Sequence, residues 1–429
     1  MTDIGRTDET IFTWGAPPMK FGAGALDEIG FEMSQFDVQR VLILTDANVN
    51  AIGIPQRIQD QLAKYHIASE IFDGVHVEPT DDSIDKAAGY AREQGPWDGF
   101  VAVGGGSSID TAKAVNLIAT DGGELMDYIN APIGRASSPR GRLKPLVAVP
   151  TTAGTGSEST AVCVLDILSM RVKTGISHWR LRPTLAIIDP LLTMSLPPEI
   201  TACSGMDIVC HALESYTARW YETYARKQAE ERVTYCGSNP ISDMWSEQAM
   251  RLAARSFRKA VHHGADDVAA RSDMMLAATF AGMGIGNSGV HIPHANAYPI
   301  AGMVRNFHPD GYPADEPIVP HGMSVSLTAP QAFRFTFDSA PERHLTAAAL
   351  LAPEVADRGD PSERLPSVLI DLMRDIGIPN GIGAVGYTED DIADLVPGTM
   401  KQQRLLSIAP RTPSEDDIAE IFTRSIENW

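Results

Sequence analysis

The sequence predicts an α/β domain built on a parallel sheet, followed by an all-α helical domain. Short, unbroken apolar runs recur over residues 41–188 with helical patterns between them. Beyond Pro190 the β-branched runs give way to segments rich in Ala, Leu, Met, Glu and Arg.

The runs are Val41-Leu42-Ile43-Leu44, Phe100-Val101-Ala102-Val103, Leu146-Val147-Ala148-Val149 and Leu185-Ala186-Ile187-Ile188, bounded by Asp, Gly or Pro. Continuous rather than alternating apolar residues suit strands covered on both faces of a parallel sheet. Segments 54–65 and 83–94 keep helical spacing between them, and open sheets of this kind bind ligands at the carboxyl ends of their strands. Helical spacing also marks 201–221, 240–263, 266–285, 322–336, 342–352 and 362–376. We therefore assign 1–192 to the α/β domain and 193–429 to the helical one. The proline- and acid-rich stretch 308–320 reads as a loop, which sets His321 just after a rigid entry.

The chain has 429 residues, room for two or three cores. With 35 Lys and Arg against 55 Asp and Glu, its formal charge is −20. Nucleic acid and anionic membrane surfaces need a basic footprint, so neither is expected as the main partner. A small anionic substrate stays compatible, because a few local cations override the mean field. No apolar run reaches the roughly 18–20 residues of a membrane span. Met1-Thr2-Asp3-Ile4-Gly5 has neither a signal core nor a transit-peptide composition. Cys163, Cys203, Cys210 and Cys236 form no C-x-x-C pair and no disulfide framework. A cytoplasmic protein with inert thiols is expected, assembled as a homo-oligomer.

Two glycine-rich loops follow predicted strands. Gly104-Gly105-Gly106-Ser107-Ser108-Ile109-Asp110 runs straight into the helical Thr111-Ala112-Lys113-Ala114. Its glycines admit close approach of a phosphate, and the new helix offers free N–H groups and its positive dipole end. Pro150-Thr151-Thr152-Ala153-Gly154-Thr155-Gly156-Ser157 adds hydroxyls suited to ribose and phosphate. Neither is the G-x-G-x-x-G fingerprint, and Gly22-Ala23-Gly24 reads as a plain turn because Asp27 stands where the third glycine belongs. Asp46 closes the first strong strand, placed to bond a ribose hydroxyl and repel a 2′-phosphate, which favours NAD over NADP.

Asp207 and His211 stand four residues apart in an otherwise small and apolar segment. On a helix both side chains share a face and can hold one ion, and burying them unpaired would be costly. Glu214 is a candidate partner for His211 at helical spacing. His291, His294 and His321 follow downstream. Imidazoles with one carboxylate suit a borderline divalent ion, Fe²⁺ or Zn²⁺.

These residues resemble the iron-containing alcohol dehydrogenase family. Segments 104–113, 150–158 and 205–214, then His294-Ala295-Asn296-Ala297-Tyr298 and Pro320-His321-Gly322, look like its successive signatures over essentially the whole chain. The resemblance implies an NAD-binding α/β domain, a helical domain and a metal in the cleft between them, an architecture shared with dehydroquinate synthases. It implies Asp207, His211, His294 and His321 as ligands, with Fe²⁺ the expected ion and Zn²⁺ the alternative. His294 is chosen over His291 because the family register is His-Ala-x-Ala-His. Tyr298 replaces a second histidine that relatives use in proton transfer, so Tyr298 is a candidate for that role. His291 is left for packing or substrate contact. Lys173 matches a family lysine near the cofactor and is a candidate in both binding and catalysis.

Within the family, Tyr235-Cys236-Gly237-Ser238-Asn239-Pro240-Ile241-Ser242-Asp243, Gly286-Asn287-Ser288-Gly289-Val290-His291, Val319-Pro320-His321-Gly322-Met323-Ser324-Val325 and Pro341-Glu342-Arg343-His344-Leu345 resemble the hydroxyacid–oxoacid transhydrogenase branch. That branch oxidises 4-hydroxybutyrate to succinate semialdehyde while reducing 2-oxoglutarate to 2-hydroxyglutarate. The competing expectations are an NAD-dependent dehydrogenase of another small alcohol and, from a different class, a lyase resembling dehydroquinate synthase. The lyase calls for a cation-rich pocket that the helical segments do not suggest. Arg305 is the candidate for gripping a substrate carboxylate.

Overall fold

The four apolar runs become four adjacent strands of one parallel sheet. The computed structural model describes residues 8–170, 172–312, 317–355 and 359–429. One of its two units spans Ala16–Ser195. There β1 (Met19–Phe21), β2 (Arg40–Leu44), β3 (Ala68–Phe72), β4 (Gly99–Gly104), β5 (Leu146–Pro150) and β8 (Leu185–Ile188) pair in the order β1-β8-β5-β4-β2-β3. Every neighbouring pair is parallel. The remaining strands, β6 (Val162–Ile167) and β7 (Val172–Ser177), form a separate antiparallel ribbon. Helices α1 (Ile29–Ser34), α2 (Ala47–Ala51), α3 (Ile54–Ala63), α4 (Asp81–Gln94), α5 (Gly106–Asp121) and α6 (Leu125–Tyr128) complete the unit.

The unbroken apolar runs have a direct cause. Leu42, Leu44, Phe100, Ala102, Leu146 and Ala148 enter one buried cluster, and their neighbours Val41, Ile43, Val101, Val103, Val147 and Val149 enter another. Successive side chains point to opposite faces, so a strand with a core on both sides must be apolar at every position. Strand β2 lies between β3 and β4, and the chain leaves it first to one side and then to the other. The carboxyl ends of β2 and β4 therefore flank a topological switch point, where open α/β sheets carry their ligand crevice.

The second unit comprises Leu196–Trp429 and a leading segment that ends at Gly15. It holds α7 (Pro198–Thr217), α8 (Pro240–His263), α9 (Val268–Ser288), α10 (Ile292–Gly302), α11 (His321–Thr336), α12 (Pro341–Leu351), α13 (Pro361–Asp375), α14 (Ile392–Met400), α15 (Gln403–Leu406) and α16 (Glu415–Arg424). The leading segment differs from the expected 1–192 boundary. Gly15 donates its N–H to Asn287 Oδ1 at 2.9 Å, and Asn287 Nδ2 donates back to the Gly15 carbonyl at 3.1 Å. Among the described residues no helix is long and apolar enough to cross a membrane. Residues 313–316 of the expected loop 308–320 lie outside the described residues.

Candidate metal centre and nucleotide loops

Helix α7 is buried from Gly205 to Thr217, so the polar groups on it must find partners inside the protein. Asp207, His211 and Glu214 follow one another at i, i+4 and i+7, a single stripe of the helix. Helix α10 brings His294 to that stripe, and the first residue of α11 is His321. Gly322 permits the last approach: a Cβ there would lie 2.0 Å from the Cys203 carbonyl oxygen and 2.9 Å from Asp207 Cβ.

Asp207 Oδ1 lies 3.5 Å from His211 Nε2, 3.5 Å from His294 Nε2 and 3.8 Å from His321 Nε2. One ligand atom from each of the four side chains falls within 4.8 Å of the others. His211 and His294 stack with centroids 4.7 Å apart, and His321 meets His294 edge-on at 5.3 Å. Asp207 Oδ1 and His294 Nε2 are buried with no hydrogen-bond partner among the described residues. A carboxylate oxygen and three imidazole nitrogens converging in a buried place, with orphaned atoms aimed inward, fit a divalent ion with borderline N/O preference.

Electrostatics agree with a site built for positive charge. Burial raises the Asp207 carboxyl, but the facing imidazoles of His211, His321 and His294 outweigh it and hold it well below the usual carboxylate range. Burial lowers His211 to about 4, which keeps it neutral and able to ligate. His294 moves the other way, to about 9, because Glu214 and Asp207 overcome the cost of burial.

Other expected residues are placed as follows. Glu214 does not pair with His211: its Oε2 accepts from His294 Nδ1, and Oε1 accepts the backbone N–H of His291 at 2.7 Å and of His294 at 3.3 Å. His291 is fully buried, with Nε2 3.0 Å from Thr217 Oγ1 and its ring against Phe333, so it packs. Tyr298 is half-buried one turn beyond His294 on α10. Arg305 is spent elsewhere: both terminal nitrogens bond the Asp391 carboxylate and one bonds the Gly386 carbonyl. Its assignment to a substrate carboxylate is corrected accordingly.

In the sheet unit, Asp46 follows β2 and caps α2, with Oδ1 accepting from Asn48 and Val49 at 2.9 and 3.1 Å. Gly104 closes β4 at φ +148, where a Cβ would lie 2.3 Å from Ser108 Oγ and 3.4 Å from Asp46 Oδ2. A Cβ on Gly106 would lie 2.6 Å from Thr155 Cγ2, and one on Gly105 3.3 Å from Thr152 Oγ1. The two loops thus press together at the switch point, with the start of α5 opening onto them. Thr45 Oγ1, Ser108 Oγ and Thr111 Oγ1 are buried without a hydrogen-bond partner among the described residues. A glycine cradle with hydroxyls and helix N–H groups fits a pyrophosphate.

Asp110 faces inward. Its Oδ1 accepts from Ser157 Oγ and from Lys113 Nζ at 3.2 Å, and its Oδ2 accepts the Val164 N–H at 2.9 Å. Fully buried Lys113 also donates to Ser157 Oγ at 2.6 Å, Thr160 Oγ1 at 3.1 Å and the Val162 carbonyl at 2.7 Å. This network rivets α5 to the second loop. Lys173 on β7 pairs with Glu78 and, at 3.3 Å, with Asp166. Glu78, at φ +56, donates its N–H to Ser107 Oγ at 3.1 Å. Lys173 therefore reaches the glycine loop through Glu78, a residue that no sequence signal singled out.

The class defined by this fold and site matches known proteins along nearly the whole chain. Residues 17–190 match the family model of iron-containing alcohol dehydrogenase, and residues 201–426 match the C-terminal model of the same family. The chain belongs to the iron-containing alcohol dehydrogenase family, and is an oxidoreductase of that class. It is 42% identical to the mitochondrial hydroxyacid-oxoacid transhydrogenase of Rattus norvegicus, over all of this chain and 92% of that protein. With the Homo sapiens protein of the same name the identity is 41%, with the same coverage. Among solved structures, a 1,3-propanediol oxidoreductase is 31% identical with a TM-score of 0.83, covering 97% of this chain and all of that one. A sulfoacetaldehyde reductase from Bifidobacterium kashiwanohense, in complex with NAD⁺, is 26% identical with a TM-score of 0.78, covering 96% and 98%. The cytoplasmic expectation is corrected by these relatives, which are named as mitochondrial proteins. Cysteine usage and the opening residues, on which it rested, do not report compartment here.

Proposed function

We propose that the chain is a metal- and NAD-dependent hydroxyacid–oxoacid transhydrogenase that oxidises 4-hydroxybutyrate to succinate semialdehyde and reduces 2-oxoglutarate to 2-hydroxyglutarate. The observation that carries this reading is the buried convergence of Asp207, His211, His294 and His321, and the full-length kinship with proteins of that name supports it. These four side chains would hold Fe²⁺, with Zn²⁺ the alternative. An ion held there would supply Lewis acidity, which lowers the pKa of a hydroxyl oxygen it polarises. Bound NAD would supply the hydride acceptor and donor, and because the hydride lost by the hydroxy acid equals the one gained by the oxo acid, the two half-reactions balance.

The protein's own groups prepare these events. Asp207 would provide the single negative ligand, and His294, whose Nε2 would have to give up its proton to an incoming ion, would join His211 and His321 as uncharged ligands that keep the centre electrophilic. Gly104, Gly105, Gly106, Ser107 and Ser108 would cradle the pyrophosphate, with Thr151, Thr152 and Thr155 facing them and Asp46 at the ribose. Asp110 would serve the cofactor by holding the loops, and Lys173 by holding Glu78 against Ser107. Tyr298, one turn from His294, would pass the released proton towards solvent. A homo-oligomer belongs to the same reading and is checked by sedimentation.

The test uses purified enzyme with 4-hydroxybutyrate and no added nucleotide. Succinate semialdehyde is expected only when 2-oxoglutarate is present, with one 2-hydroxyglutarate formed for each. Turnover that needs free NAD and ignores 2-oxoglutarate would replace this reading with an ordinary dehydrogenase of the family.

A further inference from the structure

We infer that Glu214 is the positioning residue of the metal centre, holding His294 in ligating orientation while capping the helix that carries it. The inference rests on the metal reading above.

Helix α10 has no side-chain cap of its own: its N-cap residue is His291, and Pro293 sits in the first turn. The first N–H groups of any helix lack intrahelical acceptors, and leaving them unpaired in a buried place is costly. Glu214, from α7, fills that role. Its Oε1 accepts from the N–H of His291 and of His294, and a carboxylate at a helix N-terminus is also favoured by the dipole.

The other oxygen of the same carboxylate sets the ring. Oε2 meets His294 Nδ1, so that nitrogen is the donor, and the ring's far nitrogen, Nε2, is turned towards Asp207 Oδ1 at 3.5 Å. Asp207 and Glu214 are seven residues apart on α7, and His211 lies between them. One stripe of one helix therefore bonds the His294 ring at Nδ1, faces its Nε2 with the Asp207 carboxylate and stacks on its face. Glu214 is fully buried, so water cannot take over either task. Outer carboxylates that receive the second N–H of a ligating histidine typically contribute about 10–100-fold in metal affinity.

The experiment measures Zn²⁺ affinity by chelator competition, for the full-length parent and for Glu214→Gln, together with the visible spectrum of the Co²⁺-loaded forms. The amide keeps an acceptor for the helix N–H groups but presents NH₂ to Nδ1, which disfavours the ligating tautomer. Affinity is expected to fall about 10–100-fold, and the Co²⁺ bands to shift. Unchanged affinity and spectrum would overturn the assignment of Glu214 and leave the metal reading standing. A parent that binds no divalent ion would overturn both. Should Glu214→Gln fail to fold, proton NMR of the Zn²⁺-loaded parent still decides. A downfield, slowly exchanging His294 Nδ1–H is expected, and a rapidly exchanging one would refute the inference.

Discussion

At the residue scale, one carboxylate carries the charge balance of the centre. Asp207→Asn would leave three imidazoles facing an uncharged amide, and metal content is expected to fall from one ion per chain to traces by elemental analysis. Full occupancy in that variant would remove Asp207 from the ligand set. In the sheet unit, Lys113→Met would strand Asp110 in a buried network. Removing one partner of a buried pair costs about 3–5 kcal/mol, read as a lowered midpoint in urea. Asp207 and His211 announce themselves through i, i+4 spacing in an apolar segment, whereas His294 and His321 were assigned through family resemblance. Glu214 sits three residues from His211, so local spacing suggested that pair, yet its partner His294 lies 80 residues away. Arg305 looked available until Asp391, 86 residues on, turned out to neutralise it. Long-range pairing leaves no periodic trace.

At the scale of elements, contact between α7 and α11 depends on a missing side chain. Gly322→Ala would drive a methyl into the Cys203 carbonyl, and overpacking of this kind costs about 1–3 kcal/mol. Because His321 is the adjacent residue, metal affinity is expected to fall together with the thermal midpoint, and a fall in neither would show that the two helices yield freely. Strands β2, β4, β5 and β8 were legible because both their faces are buried. Edge strand β3, Ala-Ser-Glu-Ile-Phe, is half-exposed and lacks that signature, and β1 has only three residues. The ribbon β6–β7 sets Asp166 opposite Lys173, so charge interrupts its apolar pattern. Helix α10 escaped notice because Pro293 and Pro299 break its expected outline, and because burial on most sides removes the polar face that reveals an amphipathic helix.

At the scale of the whole molecule, the two-part plan was plain from the change in composition near Pro190, but the ownership of the first residues was not. Their attachment to the helical unit combines the reciprocal Gly15–Asn287 pair, an edge-on Phe12–Tyr221 contact and polar contacts of Glu9. Burial raises the Glu9 carboxyl, but the Arg232 guanidinium and the N–H groups of Lys227, Ile11 and Thr10 prevail and hold it at about 2, against an ordinary 4.5. A carboxyl depressed on folding stabilises fully above 4.5, and that contribution is lost as pH falls towards 2. Glu9→Gln is therefore expected to lower the thermal midpoint at pH 7, with the difference from the parent closing between those two values. A difference independent of pH would show that the charge is immaterial. Whether Asp207, His211, His294 and His321 hold one divalent ion is decided by anomalous diffraction at the metal edge from crystals grown with Fe²⁺ or Zn²⁺. One peak is expected, about 2.0–2.2 Å from Asp207 and the three histidine nitrogens. A peak elsewhere, or none at this site, would contradict that ligand set.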